Sequence, residues 1–230
     1  MKLYGTPPTR ATRPIWLLNA LDIDCEIVPL DMMAGENQGA EFLAVNPFGK
    51  IPALVDGDLM LAESVAIMMH LAEAHGGERF LPSDPADRAR MHQWNLYLVA
   101  EIEQPLWRMG LHSVIYPEAE RISEDIPLAR RDCLRMLAPL EAHLKGRDHM
   151  VGSALTVADF NAAYTLDWAD EDGCLLDAAP NCRRFVERMY ARPDAPPRIA
   201  EAFAKLNAGE VPPRYRVDIA PEKRILPCAS

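Results

Sequence analysis

The chain has 230 residues, 49% of them apolar, enough for one large core or two small ones. A net charge of −10 argues against a nucleic-acid backbone as partner, and residues 1–82 hold only five basic against eleven acidic side chains. Five cysteines, an odd number with no C-x-x-C pair, fit a reducing compartment better than a disulfide framework.

Lys2–Gly5 reads as a short strand, ended by Gly5 and Pro7-Pro8. A helical pattern follows through Ile15, Trp16, Leu18 and Leu21, and Pro14 must sit in its first turn, where a missing N–H costs nothing. Cys25–Leu30 alternates as a second strand, Gly35–Asn37 reads as a loop, and Ala40–Val45 as a short helix. Ile51–Val55 and Leu59–Leu61 are two apolar runs joined by Asp56-Gly57-Asp58, a hairpin signal, with Pro52 confining the first run to an edge or a special turn. Glu63-Ser64 then precedes Val65, Ile67, Met68, Leu71 and Ala72 at helical spacing.

Phe80-Leu81-Pro82-Ser83-Asp84-Pro85 breaks the composition and reads as a linker, with Ser83 or Asp84 capping the next helix and Pro85 at its first position. Beyond it the pattern is helical: Arg88–Val114, with a bend expected at Pro105, then Glu124–Leu144, Pro180–Ala191 and Ala195–Leu206. Thr156 and Asp159 have capping-box spacing, with Leu155 and Phe160 as a staple, so Asp159 reads as structural. Trp94, Tyr97 and Trp168 read as core. The expected organisation is residues 1–79 as an α/β domain, 80–85 as linker, 86–207 as an all-helical domain and 208–230 as a tail without periodicity. Neither a membrane-length apolar run nor an apolar leader follows MKLYGTPP, so a cytoplasmic protein is expected.

Six histidines offer no metal pair by spacing: His70 and His75 stand five apart, H-E-x-x-H is absent, and no metal site is expected. The chemistry concentrates in residues 46–73. A proline-opened hairpin that feeds a helix N-terminus carrying a carboxylate and a hydroxyl can receive an anion and an ammonium group.

Asn46-Pro47, Gly49, Ile51-Pro52, Glu63-Ser64 and Ile67 together resemble the glutathione-binding half of the soluble glutathione transferases, in their serine/threonine-type bacterial form. The resemblance implies a thioredoxin-like N-terminal domain, from the order β-α-β then α-β-β-α, and an all-α C-terminal domain. It also implies glutathione as co-substrate with no further cofactor, a small hydrophobic electrophile or peroxide as second substrate, a homodimer, and no nucleic-acid or membrane partner.

The thiol must be ionised, and the family supplies a hydroxyl a few residues before a Thr-Arg or Ser-Arg pair at the first helix. Thr9, followed by Thr12-Arg13, matches that spacing with threonine in place of the commoner serine; Thr6 and Thr12 are the other hydroxyls of the loop. Ser64 is expected to take the γ-glutamyl carboxylate, Glu63 the α-ammonium, the backbone of Ile51 before a cis-Pro52 the cysteinyl unit, and Lys50 the glycyl carboxylate. Arg10, Thr12 and Arg13 stand near the thiol, Arg10 and Arg13 adding positive potential there, and Asn46 ties the loop. Met32, Met33, Leu106, Trp107 and Met109 are candidates for a second-substrate pocket. No cysteine falls in the first loop, which argues against disulfide or dehydroascorbate reduction, and Cys25 reads as a small apolar core residue. Two other readings stay open: a non-catalytic binding or regulatory module on the same fold, and a glutathione-dependent isomerase or dehalogenase.

Overall fold

The structure, a computed structural model, describes residues 1–208 except 6, 33, 176 and 177, and except the side chains of 206 and 207. Thr6, Met33, Cys228 and the tail beyond residue 208 therefore lie outside the described residues. The chain forms two compact units, Met1–Leu81 with the segment from Arg192, and Pro82–Ala191.

In the first unit β1 (Lys2–Tyr4), β2 (Glu26–Val28), β3 (Ala53–Asp56) and β4 (Leu59–Ala62) form one mixed sheet in the order β2-β1-β3-β4. β1 runs parallel to β2 and antiparallel to β3, and β3–β4 is the expected hairpin. β2 is shorter than its apolar pattern, which runs into Pro29, a residue unable to donate to a ladder. The expected loop at Gly35–Asn37 instead carries a 3₁₀ turn over Glu36–Gln38. α1 (Thr12–Leu21), with Pro14 in its first turn, buries eight of its ten residues, and α2 spans Ala40–Val45 as expected.

α3 (Ser64–His70) does not simply end. Leu71–His75 continues it as a π-helical turn closed by the Gly76 N–H donating to the Leu71 carbonyl at 2.8 Å. On an α-helix, residues five apart point about 140° from one another; a turn closed by an i→i+5 bond brings them round to the same side. His70 and His75 consequently meet at Asp56, with Nε2 to Oδ2 distances of 2.8 and 2.5 Å. The two therefore stand together despite the five-residue spacing that offered no metal pair in the sequence.

The second unit is helical: α4 (Pro85–Tyr97), α5 (Glu103–Gly110), α6 (Asp125–His143), α7 (Val157–Glu171) and α8 (Pro180–Tyr190). Asp84 caps α4 by accepting from the Asp87 N–H at 2.9 Å, ahead of Pro85 at the first position. A π turn at Leu98–Ile102 joins α4 to α5 just ahead of Pro105, whose ring and missing N–H cannot fit an unbroken ladder. α7 is central, with residues 157–169 all buried, Trp168 among them. Trp94 and Tyr97 are half-buried rather than in the core. At the head of α7 the expected capping box is present. Asp159 Oδ2 accepts from the Thr156 N–H and hydroxyl, both at 2.8 Å, and Oδ1 from the Met150 N–H at 2.9 Å.

The last expected helix begins later, as α9 (Ile199–Ala208), since Pro196-Pro197 cannot enter a helix interior. It also groups with the first unit rather than with residues 86–191. No helix among the described residues is long and apolar enough to cross a membrane.

Candidate active site

Strand register gathers the candidate residues. Tyr4 pairs with Ala53, and Ala53 with Ala62. The loop after β1, the Ile51-Pro52 segment before β3 and Glu63-Ser64 after β4 therefore lie side by side at one end of the sheet. Gly5 lets them close in. It holds φ +122°, and a Cβ there would stand 2.8 Å from the Ala11 Cβ and 3.3 Å from the Ile51 Cβ.

The Ile51-Pro52 bond is cis, as is Pro7-Pro8. Ile51 is half-buried, Pro52 buried and Lys50 exposed. The loop before them is pinned. The buried Asn46 amide donates to the Lys50 carbonyl at 2.6 Å while its Oδ1 accepts from the Phe48 N–H at 3.1 Å. Asn37 donates to the Gly49 carbonyl at 2.7 Å. Asn46 thus ties the loop, as its position suggested.

At the head of α3, Glu63 carries φ +69° and ψ 114°, a conformation costly for a residue with a Cβ, and its side chain is exposed with no capping bond. Ser64 is buried, and its Oγ accepts from Arg13 Nη1 at 3.1 Å. A hydroxyl whose oxygen accepts in this way keeps its own proton to donate. Arg13, expected only as a nearby positive charge, is 1% exposed and locks the start of α1 to the start of α3. A signal for this existed: Arg13 lies three and four residues before Trp16 and Leu17, on the buried stripe of α1.

Thr9 lies in the turn that leads into α1. Its carbonyl accepts from the Thr12 N–H at 2.9 Å and its Oγ1 from the Ala11 N–H at 3.3 Å; it is half-buried, as is Arg10. Thr12 departs from expectation. It is 1% exposed and its Oγ1 has no hydrogen-bond partner among the described residues, so it faces the interior rather than a ligand.

Leu106 and Met109 likewise prove to be core residues, at 0% and 1% exposure, because the apolar stripe of α5 packs against α6. Trp107 is half-buried, edge-on to Trp168 with centroids 6.5 Å apart. Met32 is exposed.

Among the described residues, Cys25, Cys133 and Cys182 offer no ready thiolate, and Cys174 is buried at 1% exposure. Cys25 is half-buried rather than core, and burial pushes its thiol up to about 11. The Cys133 thiol is pushed up by its hydrogen bond to Cys174 and by burial, and that of Cys182 by burial.

The N-terminal-domain family model "Glutathione S-transferase, N-terminal domain" matches residues 1–73, and "Glutathione S-transferase, C-terminal domain" matches residues 107–193. A glutathione S-transferase of Hyoscyamus muticus is 30% identical over 200 residues, covering 84% of this chain and 94% of the relative. Among solved structures, glutathione transferase F7 of Populus trichocarpa superposes with a TM-score of 0.74 at 25% identity, over 84% of this chain and 94% of that one. The transferase URE2P6 of Phanerochaete chrysosporium, solved with oxidised glutathione, gives 0.74 at 25% identity over 89% and 94%. Two domain matches spanning most of the chain, on a fold that brings the proline-led loop, Glu63-Ser64 and the start of α1 to one sheet end, mean that this protein belongs to the glutathione S-transferase family.

Proposed function

We propose that the protein is a glutathione transferase that holds glutathione along the sheet end and activates its thiol for attack on a small electrophile. The observation that carries this reading is the Arg13–Ser64 bond at an α3 N-terminus that the exposed Glu63 side chain leaves uncapped. Ser64 then offers a hydroxyl proton and a backbone N–H to the γ-glutamyl carboxylate, with helix dipole and buried guanidinium favouring the negative charge. Glu63 accepts from the neighbouring α-ammonium. Two strand spacings separate the β1 and β4 ends, about 10 Å. An extended tripeptide has the same reach, so a peptide anchored at Ser64 passes the Ile51 backbone and delivers its sulfur to the head of α1. Lys50 takes the glycyl carboxylate, and Arg10 adds positive potential.

Within the family the reading is the serine/threonine type of bacterial members, with Thr9 donating to the sulfur. A free thiol near pKa ~8.5 is only a few per cent ionised at neutral pH, and lowering it by two units takes about 2.7 kcal/mol of preference for the thiolate. A charge-assisted hydrogen bond together with the α1 N-terminal dipole is of that size. The thiol proton leaves to solvent. The sulfur lone pair attacks the electrophilic carbon, or a peroxide oxygen, and the leaving group departs with its bonding electrons. Nothing of the enzyme becomes covalently attached; it contributes orientation and thiolate stabilisation. Met32 and Trp107 remain apolar candidates for the electrophile, and Met33 lies outside the described residues. A homodimer, a cytoplasmic location and a detoxifying role belong to the same reading.

Thr9→Ala tests it. Conjugation of a chromogenic aryl halide should fall at least about tenfold in kcat, a loss of roughly 1.4 kcal/mol, with the Kd for glutathione little changed. Full activity in that variant removes Thr9 from the mechanism. Failure of the wild type to bind millimolar glutathione in a calorimeter would favour a non-catalytic module.

A further inference from the structure

The side chains of Asp56, His70 and His75 form a cluster that glutathione chemistry does not use. Asp56 ends β3 and opens the hairpin turn, His70 ends α3, and His75 ends the π turn that follows. Both imidazole Nε2 atoms converge on one carboxylate oxygen, Oδ2, at 2.8 and 2.5 Å, and the three donor atoms lie within 4.8 Å of one another. The rings stand edge to face, with centroids 5.6 Å apart and planes at 81°. Each side chain is a fifth to a third exposed, so one side of the cluster opens to water.

A surface ion pair does not require this arrangement. One imidazole would serve an isolated Asp56, and exposed pairs contribute only about 0–1 kcal/mol. Here two histidines five residues apart are aligned by a π turn, an irregular element often found at functional sites. Two imidazole nitrogens and a carboxylate oxygen are the ligands of borderline divalent metals, with water filling the remaining position. Zinc bonds of about 2.0–2.2 Å in tetrahedral geometry put donors about 3.4 Å apart. Each Nε2 needs to move away from Asp56 Oδ2 by less than an ångström, which partly exposed side chains at a hairpin and a helix end can do.

We propose that Asp56, His70 and His75 bind a divalent first-row transition cation of the zinc type, which clamps the β3–β4 hairpin to the far end of the helix whose head carries Ser64. The site lies at the opposite end of β3 from Pro52, about 10 Å or more along the strand, so the ion takes no part in thiol chemistry. Its consequence is stability: a ligand that binds the folded state alone raises the melting temperature with its concentration.

The test is calorimetric titration of Zn²⁺ into chelator-treated full-length protein. The wild type should bind one Zn²⁺ per chain at micromolar concentration and melt at a higher temperature with the metal. His75→Ala and Asp56→Asn, each checked for native circular dichroism, should weaken binding at least about tenfold and lose the melting shift. Cys25→Ser should bind as the wild type does. No binding by the wild type, equal binding by the two site variants, or loss of binding with Cys25→Ser would each overturn the proposal.

Discussion

Two helix N-termini in this molecule carry similar residues and end up in opposite conditions. At α7, Thr156 and Asp159 close on each other, and Asp159 spends both oxygens on three donors of its own unit at 0% exposure. At α3, Glu63 points into solvent from a positive-φ backbone, no side chain caps the helix, and the Ser64 oxygen is engaged by Arg13 from behind. A helix head whose donors and acceptors are satisfied internally can only stabilise. One whose first hydroxyl is held by a buried guanidinium and whose N-cap side chain makes no capping bond keeps donors for an outside anion. The composition of a cap does not separate the two cases; what faces it does.

The largest test of this contrast is Asp159→Ala. It strands two buried N–H groups and a hydroxyl and removes the charge complementing the helix dipole, so the second unit should lose about 3–5 kcal/mol. Urea denaturation followed by tryptophan fluorescence measures it. A loss below about 1 kcal/mol would mean that the α7 cap is not the closed structure described.

The far end of α7 supplies the next effect. Asp172, at its C-cap, is 5% exposed, its Oδ2 has no hydrogen-bond partner among the described residues, and burial raises its pKa to about 7 against the pull of Arg130. A carboxyl whose folded pKa exceeds its unfolded value is protonated, and harmless, below about pH 4; the penalty grows as pH rises and is complete once pH passes the folded value. Wild-type stability should therefore decline between pH 5 and pH 8. Asp172→Asn should be more stable than wild type by about 2–4 kcal/mol at pH 8, with the difference vanishing near pH 4. Equal pH profiles for the two proteins would show that the carboxyl finds solvent.

Ser64→Ala addresses the open helix head. Losing a hydroxyl that donates to a carboxylate should weaken glutathione binding by about ten- to fiftyfold in calorimetry. Should affinity hold while stability drops as far as in Asp159→Ala, α3 would be a closed cap like α7 and the contrast would fail.

How much of this was legible in the sequence follows from the range of each cause. The β3–β4 hairpin, α2, the Asp84-Pro85 start of α4 and the capping box are set by residues within four or five positions, and the sequence patterns locate them. The Arg13–Ser64 bond spans 51 residues and left only an odd charge on an apolar stripe. The inward turn of Thr12 and the burial of Leu106 and Met109 depend on which side of a helix meets its neighbour, and periodicity alone gives no partner. The Asp56–His70–His75 cluster was hidden for a different reason: the π turn changes the period within a helix, so counting at 3.6 residues per turn sends the two histidines to different faces.

The smallest effect tests whether strain at Glu63 serves binding. A non-glycine residue at φ +69° costs roughly 1–3 kcal/mol, partly offset in a glycine variant by about 0.5–1 kcal/mol of unfolded-chain entropy. Glu63→Gly should accordingly stabilise the first unit by about 0.5–2 kcal/mol, read as a rise in urea midpoint, while losing the carboxylate that meets the α-ammonium. A glutathione analogue lacking that amino group separates the two consequences. Wild type should bind glutathione more tightly than the analogue, by about fivefold or more, and Glu63→Gly should bind both alike. A variant that is more stable yet still prefers glutathione would leave the strained conformation without a ligand to account for it, and the head of α3 would be open for some reason other than the ammonium group.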